Sequence, residues 1–307
     1  MVALPPRPMN LNELIDAVFH LYRRNFWLLV TVAAVIQIPY RILASFVQSR
    51  TEPLTQSINR LKTHPGSSAH VQILIHSFWH ATAVELLVLL VFGFVVLPLG
   101  LAAMTCAGAE RYLGRQTSFE LAFGAARRRW LPLLGVVLLV VASIFGAVVA
   151  LVILSAVLIV ALKGLGVLLV ILVSLAAVVL GVMAYVRVIV AVPAVVLEPV
   201  GPWQAIARSW SLTRCHAWLV FGVLLVLGIL TWIVGFAVGV VAGLVAAAGG
   251  GTGSVAGHLI VLVFTIIIDV LIAPVSVLGT LLLYFNLRGR QEELGQTQVQ
   301  PQLAIQP

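Results

Sequence analysis

Charged side chains inside apolar stretches are the residues of this sequence whose types and positions predict chemistry. Asp269 lies in the segment FTIIIDVLIAP, near the centre of an apolar span. An unpaired charge at that depth costs roughly 2.5–3.5 kcal/mol. Such a residue marks either a proton or substrate site facing a helix bundle, or a neutral or Ser/Thr-bonded acid that fixes helix packing. No lysine or arginine is expected at its depth.

Two further pairs of opposite charges fall near the ends of apolar spans. Arg41 lies about six residues before the outer end of the first span, and Glu85 about seven after the outer start of the second. Both are therefore expected roughly 10 Å inside the outer boundary. We predict an ion pair between them, with a structural role rather than one in transport. Arg187 and Glu198, at the inner end of the fourth span, are expected to pair with each other or with lipid headgroups.

Other sets of reactive side chains are incomplete. His76 and His80 have the spacing that places two ligands on one helical face, but no cysteine or nearby carboxylate completes a metal site. No nucleophile with a matching base and no phosphate-binding loop is recognisable. The sequence therefore predicts no metal, no cofactor and no enzymatic activity. Gly235, Gly239 and Gly243 form a small-residue ridge that favours close packing against another span of the chain, with a homodimer as second choice.

The composition indicates where these residues lie. Of the 307 residues, 62% are hydrophobic and only 9% are charged, and the mean hydropathy is +1.14. A soluble domain carries roughly a quarter of charged residues. The chain is therefore predicted to be an all-α integral membrane protein.

A short amphipathic segment, residues 201–218, precedes one of the long apolar runs and has two counterparts. The predicted N-caps and the side chains that reach back to them are Gly201 with Gln204, Asn10 with Glu13, and Thr117 with Glu120. Each copy is followed by two apolar spans. We therefore predict six transmembrane helices, arranged as three repeats of an interfacial amphipathic helix plus a transmembrane hairpin.

The predicted boundaries follow from these repeats. A flexible, Pro-broken lead (1–9) precedes a single six-span membrane domain (10–288) and a disordered tail (289–307). The repeats cover about 10–116, 117–200 and 201–288. The spans are 26–47, 78–108, 131–162, 164–186, 218–248 and 258–287, with a tight turn at 163–164 and one long polar connection at 48–75. Residues 188–198 are either a helical extension or an interfacial segment.

The distribution of positive charge predicts the orientation. Thirteen of the 18 Lys and Arg residues fall in the N-terminus, the 109–130 and 187–217 connections and the residues from 288 onward. Because Lys and Arg accumulate on the cytoplasmic side of membrane proteins, both termini are expected in the cytoplasm. The expected location is the inner membrane of a bacterial cell.

Basic and aromatic side chains are expected at the cytoplasmic interface, where they meet anionic lipid headgroups. They are Arg23, Arg24, Trp27, Arg127, Arg128, Arg129, Trp130, Arg208, Trp210, Arg214 and Trp218. Trp203, Ile206 and Trp210 share the predicted apolar face of the third amphipathic segment. The expected partners are membrane lipids and either another protein or a second copy of the chain. Headgroups explain the positive charge without a nucleic acid.

The segment YVRVIVAVPAVVLEPVGPWQAIARSWSLTRCHAW, residues 185–218, resembles the glycerophosphoryl diester phosphodiesterase membrane domain family. The likeness is carried by Arg187, Pro193, Glu198, Ala205, Arg208, Ser209, Trp210, Leu212 and Arg214, and by the opening LNELIDAVFHLYRRNFWLL. Cys215 departs from the pattern, where Gly is expected. The resemblance implies a bacterial multi-span domain that in some proteins is fused to a soluble phosphodiesterase. The barrel of such fusions needs about 250 residues. No soluble stretch approaches that length, so no phosphodiesterase activity is implied.

Three functional hypotheses follow. The first is a non-enzymatic membrane protein that organises or regulates a partner at the cytoplasmic membrane face, with a link to lipid or glycerophosphodiester metabolism. The second is a transporter of a small molecule or lipid, with an intramembrane site around Asp269. The third, an intramembrane enzyme, is the weakest because no nucleophile or metal set appears. A water-lined cavity reaching Asp269 favours transport, and a dry, tightly packed bundle favours the organising role.

Overall fold

Helices make up the regular structure in the described part of the computed structural model, which covers residues 9–63, 83, 87, 90, 92–248 and 254–303. Their bounds are α1 Leu11–Arg24, α2 Phe26–Thr63, a π-helical turn Phe92–Val96, α3 Leu97–Tyr112, α4 Phe119–Val188, α5 Ala191–Leu197, α6 Pro202–Thr213, α7 Ala217–Ala248 and α8 Val255–Leu303. Six segments of this part are long and apolar enough to cross a membrane, which confirms the predicted fold class. They are Phe26–Phe46, Phe92–Tyr112, Phe119–Leu162, Gly164–Leu197, Ala217–Ala248 and Val255–Gln291.

Two of the predicted helix starts lie where the sequence places them. The backbone N–H of Asn10 donates to the Glu13 carboxylate (3.0 Å), and that of Gly201 donates to the side-chain carbonyl of Gln204 (3.1 Å). Each bond satisfies a backbone donor at a helix start and fixes the direction in which the chain enters α1 or α6.

The third predicted start is displaced by one residue. The N-cap of α4 is Ser118 instead of Thr117, because the Ser118 hydroxyl accepts from the backbone N–H of Leu121 (3.4 Å). α4 then continues into the third span without a break. In contrast, Asn25 separates α1 from α2, and residues 214–216 separate α6 from α7.

The backbone of α4 is helical over 70 residues, yet its axis reverses near the middle. A Cβ atom on Gly166 would lie 2.3 Å from the carbonyl oxygen of Leu158. In a straight helix these two residues are about 12 Å apart along the axis, so the chain must fold back between them. The reversal agrees with the predicted turn at 163–164 and makes the two arms of α4 the third and fourth spans.

Two other predicted features differ from the structure, while the alternatives given for 188–198 stay open. α2 continues through Thr63, so the first half of the connection 48–75 is helical, even though it contains Pro53. α8 continues through Leu303, where disorder is predicted from 289, and Gln, Glu and Arg favour the helix. Residues 191–197 form the short helix α5, separated from α4 by a turn at 189–190.

The π-helical turn in the second span immediately precedes Pro98. Because proline has no N–H, the turn before it lacks one hydrogen-bond donor. The indole N–H of Trp130 donates to the carbonyl of Val95 in this turn (3.1 Å). The sequence predicts Trp130 only as an interface marker; in the structure it also joins α4 to the second span.

The most deeply buried helical segment is the end of the sixth span. Leu281, Leu282, Leu283, Tyr284 and Leu287 have no exposed surface, so this stretch of α8 is covered on all sides. It is covered by α1, α3, α5, α6 and α7. We call residues 277–290 of α8 together with α1, α5 and α6 the collar.

The first and third amphipathic segments, with the spans that follow them, can be aligned by an offset of 191 residues. Aligned positions in the two copies have the same burial. Val32 and Val223 are fully buried, whereas Trp27 and Trp218 are 80% and 85% exposed. This match is expected if the two segments are repeats of one unit.

Ile36 on α2 and Leu227 on α7, also 191 residues apart, each lie against a glycine of the span that follows. A Cβ atom added to Gly100 would lie 2.1 Å from the Ile36 side chain, and one added to Gly279 would lie 2.3 Å from the Leu227 side chain. The glycines therefore allow the two helices of each hairpin to approach closely. These correspondences agree with two repeated units, while the threefold repeat itself stays a prediction.

Candidate functional site

A stripe of polar residues runs along one face of α2. Gln37, Arg41 and Ser45 follow one another at four-residue intervals, which places them on the same side of the helix. This side meets α8, which runs antiparallel to α2. The Ser45 hydroxyl lies within hydrogen-bonding distance of Nε2 of His258 (2.8 Å).

Arg41 and Asp269 form an ion pair in which Nε of the guanidinium donates to a carboxylate oxygen. In a helix every Cα–Cβ bond leans toward the N-terminus, so side chains on antiparallel helices lean in opposite directions along the bundle. The side chains of Arg41 and Asp269 lean toward each other in this way. The side chains are 36% and 22% exposed, which leaves the pair only partly covered by protein. The expectation that no arginine reaches Asp269 is therefore wrong, because Arg41 supplies the compensating charge.

The predicted partner of Arg41, Glu85, lies outside the described residues, so its pairing stays a prediction. Within the described part, the guanidinium carbon of Arg41 also lies 5.9 Å from the ring centroid of Tyr40. A cation at this distance from an aromatic ring is attracted by its π face. The Tyr40 ring in turn contacts Phe92, with ring centroids 5.5 Å apart.

A cavity of about 310 Å³ opens beside the ion pair, between α2, α7 and α8. It is lined by Gln37, Thr231, Gly235, Ile268, Asp269, Ile272 and Ala273. Its volume falls at the lower end of the roughly 300–1,000 Å³ usual for small-molecule sites. Within the described part, the Gln37 amide makes no hydrogen bond, and Thr231 donates only to the Gly228 carbonyl (2.9 Å).

Gly235 keeps the cavity open on its α7 side. A Cβ at Gly235 would meet nothing within 4 Å, and the same holds for Gly239 and Gly243. Among the described residues, no helix packs closely on this ridge, so the predicted packing against another span is not found there. Within the described part, the ridge borders open space instead.

A second polar cluster lies in the collar, around Glu198 at the end of α5. The Tyr284 hydroxyl donates to the Glu198 carboxylate (2.5 Å), and guanidinium nitrogens of Arg208 and Arg288 each lie 3.7 Å from it. Arg288 also donates to the Tyr284 oxygen (3.2 Å). Glu198 thus joins α5, α6 and α8, and the pairing with Arg187 that the sequence suggests is wrong.

Arg187 has a different environment at the end of α4. Its guanidinium carbon lies 5.3 Å from the ring centroid of Trp210, a cation–π arrangement. Its backbone carbonyl accepts from the Ser209 hydroxyl (2.7 Å). Both contacts attach α6 to the end of α4.

The predicted interfacial residues mostly face outward. Arg23, Arg24, Trp27, Arg127, Arg128, Trp210, Arg214 and Trp218 are exposed, while Arg129, Trp130 and Arg208 are partly buried. α6 packs against the rest of the protein through Ala205, Ser209 and Leu212, all buried. The predicted apolar face of α6 is therefore not the face packed on protein: Trp203 and Trp210 are 73% and 50% exposed.

An open groove of about 680 Å³ runs along the outer surface of α1. It is lined by Asp16, Phe19, His20, Arg23 and Arg24. Two guanidinium groups beside a phenyl ring match the chemistry of an anionic headgroup next to its acyl chain.

Two titratable groups at the edge of the collar have altered pKa values. Burial, together with the positive charge of Arg290, lowers the pKa of His216 in the turn between α6 and α7. Burial raises the pKa of Tyr22, whose hydroxyl donates to the carbonyl of Leu271 (3.0 Å). The fold therefore favours a neutral His216 and a protonated Tyr22.

Sequence reasoning misses several residues of both clusters: Gln37, Ser45, Thr231 and His258 in the bundle, and Tyr284, Asn286 and Arg288 in the collar. The four-residue spacing of Gln37, Arg41 and Ser45 is a signal that finds Gln37 and Ser45, but not Thr231 or His258. Asn286 exchanges two hydrogen bonds with the backbone of Met9 (2.9 and 3.0 Å). No sequence signal predicts this contact, because its partners are 277 residues apart.

An all-helical bundle with six segments able to cross a membrane, an ion pair and an adjoining cavity defines a multi-pass integral membrane protein. Within that class, the chain belongs to the family described as Domain of unknown function (DUF7847), whose model matches residues 9–285. No curated protein and no solved structure matches the chain. The family match provides no link to the glycerophosphoryl diester phosphodiesterase membrane domain, so that resemblance stays an expectation.

Proposed function

We propose that this protein binds a small polar molecule inside the membrane and passes it across, without catalysing a reaction. The cavity beside Arg41 and Asp269 carries the proposal. Charged residues within membrane spans mark substrate and ion pathways when they face a cavity. An ion pair that served packing alone would be enclosed by side chains, whereas this pair borders about 310 Å³ of open space.

The polar stripe of α2 supports a pathway longer than the cavity. From Gln37 to Ser45 the stripe covers about 12 Å along the helix. The contact between Ser45 and His258 continues it beyond the ion pair toward the beginning of α8. A polar molecule leaving Asp269 in this direction would find hydrogen-bonding groups on both helices.

Water access to the cavity tests this proposal. The chain's own cysteines are replaced (Cys106→Ala, Cys215→Ser), and a single thiol is introduced by Gly235→Cys. The protein is reconstituted in liposomes and treated with a small charged methanethiosulfonate, which reacts only with a thiol that water reaches. Gly239→Cys, one turn further along α7, is the matched control, since neither position has an atom within 4 Å of its added Cβ.

Fast modification at position 235 and slow modification at position 239 is the expected result. Slow modification at both positions would mean that the cavity is dry, and the transport proposal would then be rejected.

The collar favours a second function, the organisation of a partner at the membrane face. Its centre is fully buried, and Glu198 joins three of its helices. Its outer surface carries exposed Trp and Arg side chains and the groove on α1, which suit anionic lipid or an acidic protein surface. A link to lipid metabolism has only the family resemblance behind it.

The organising function requires the collar to face the cytoplasm of a bacterial cell, as the charge distribution predicts. Cysteine labelling of intact cells tests this orientation. A cysteine replacing Ser67 should react with an impermeant maleimide, and one replacing Gln296 should react only after the cells are opened. The opposite pattern would reverse the orientation and remove the collar from the cytoplasm.

A further inference from the structure

We infer that the ligand of the bundle cavity is a zwitterion, a molecule with one cationic and one anionic group close together and an apolar part beside them. The inference rests on the proposed function and specifies the chemistry of its ligand.

Among the described residues at the cavity, the charges cancel one another. Asp269 lines the cavity, Arg41 is bonded to Asp269, and the other lining residues are uncharged. A ligand with only a positive charge would engage Asp269 and leave Arg41 without its partner. A ligand with only a negative charge would engage Arg41 and leave Asp269 unpaired. Removing one partner of a partly buried ion pair leaves the other charge uncompensated, so neither ligand is suited to the site.

A zwitterion replaces both halves of the pair at once. Its anionic group accepts hydrogen bonds from the guanidinium of Arg41, whose planar donors suit a carboxylate or phosphate. Its cationic group donates to the carboxylate of Asp269. Because the two protein groups are in direct contact before the ligand enters, the ligand's charges must lie close together. An α-amino acid, whose ammonium and carboxylate groups are attached to the same carbon, meets this condition.

The rest of the cavity predicts the remainder of the ligand. Ile268, Ile272 and Ala273 present an apolar wall, and Gly235 leaves space opposite it. A branched apolar side chain fills such a space. The headgroup of a zwitterionic phospholipid has the same pair of charges with acyl chains attached, so a free amino acid and a lipid are two sources of one chemistry.

Binding to the full-length protein in nanodiscs tests the inference. The soluble probe is L-leucine, followed by the other common amino acids, with binding measured by calorimetry. Two analogues of leucine each lack one charge: 3-methylbutylamine lacks the carboxylate and 4-methylpentanoate lacks the ammonium group. The lipid source is tested by the thermal unfolding temperature in phosphatidylglycerol nanodiscs with and without phosphatidylethanolamine.

We expect an amino acid to bind at least tenfold more tightly than either of its single-charge analogues. Asp269→Asn and Arg41→Gln should each weaken this binding at least tenfold. Gly235→Val should do the same by filling the cavity, while Gly239→Val should not. Gly235→Val leaves the ion pair in place, so it tests the site even if the charge variants fail to fold.

Four outcomes are distinguishable. Stabilisation by phosphatidylethanolamine that Gly235→Val abolishes supports the inference with a lipid as the ligand. Equal binding of a single-charge analogue overturns the inference and leaves the proposed site. An accessible thiol at position 235, without binding of any amino acid and without a difference between the two lipid compositions, also overturns it. An inaccessible thiol overturns the proposed function itself.

Discussion

The guanidinium of Arg41 and the carboxylate of Asp269 hold α2 against α8 across 228 residues of sequence. Both side chains are partly exposed, at 36% and 22%, and Asp269 also lines the cavity. The contribution of this pair to stability therefore lies between two limits. An exposed surface pair contributes little, whereas disruption of a buried pair is costly.

Neutralising one member of this pair should destabilise the protein, and neutralising both should restore much of the loss. Removing one partner of a fully buried pair costs about 3–5 kcal/mol. Because this pair is partly exposed, we expect Arg41→Gln or Asp269→Asn to lower the free energy of unfolding by about 1–3 kcal/mol. Unfolding of the two single variants and the double variant gives the coupling energy. Strict additivity would show that the residues do not interact, and Arg128→Gln is the exposed control.

The hydroxyl of Tyr284 should contribute to the stability of the collar. Tyr284→Phe removes the donor to Glu198 with little change in shape, and a hydrogen bond to a charged group contributes about 1.5–3 kcal/mol. Thermal unfolding should therefore begin at a lower temperature. Tyr185→Phe, at a tyrosine that is 59% exposed, should have no such effect. Equal behaviour of the two variants would contradict the proposed joining of α5 and α8.

His216 should make the protein less stable in acid. Its folded-state pKa lies below the ordinary value of 6.5, so the unfolded chain binds more protons as the pH falls past 6.5. Its contribution to stability is complete above that pH and is lost as the pH falls through the lower, folded-state pKa. His216→Gln should therefore flatten the decrease of the unfolding temperature between pH 7 and 5. His20→Gln, on the outside of α1, is the matched control, and an unchanged slope in His216→Gln would refute the assignment.

The reversal in α4 should depend on Gly166. An added Cβ would lie 2.3 Å from the Leu158 carbonyl oxygen, a backbone atom that cannot rotate away. Gly166→Ala should therefore force the two arms apart and cost about 1–3 kcal/mol, as overpacking does. At Gly164 a Cβ would meet nothing within 4 Å, so Gly164→Ala should be neutral. Equal unfolding temperatures for the two variants would show that the arms are not in close contact at Gly166.

Features that depend on neighbours in sequence are predicted well for this chain. The hydrogen bonds that Glu13 and Gln204 accept at the helix starts require only a three-residue spacing, and the six spans require only apolar length. The contact between Arg41 and Asp269 is not predicted in this way. Matching the depths of two Cα atoms ignores the reach of a long side chain that leans along the bundle.

Hydrophobic periodicity also cannot show whether an apolar helix face contacts lipid or protein, since both surroundings are apolar. In α6 the large residues Trp203 and Trp210 are the ones left exposed, while small Ala205 and Ser209 are buried. Close packing between helices in a membrane favours small residues, and the headgroup zone favours Trp. The hydrophobic face that the sequence predicts is therefore the one left uncovered by protein.

The outward face of α6 should contact the membrane. Trp203 and Trp210 are exposed on the same side as Arg214, and each cationic side chain near an anionic leaflet contributes about 1 kcal/mol. Spin labels replacing Trp203 or Trp210 in nanodiscs should be shielded from water-soluble relaxants, while a label replacing Ser211 should be accessible. A label at the partly buried Ile206 should also be shielded. Equal accessibility at Trp210 and Ser211 would mean that α6 lies in water, and the collar would then lose its proposed contact with the lipid surface.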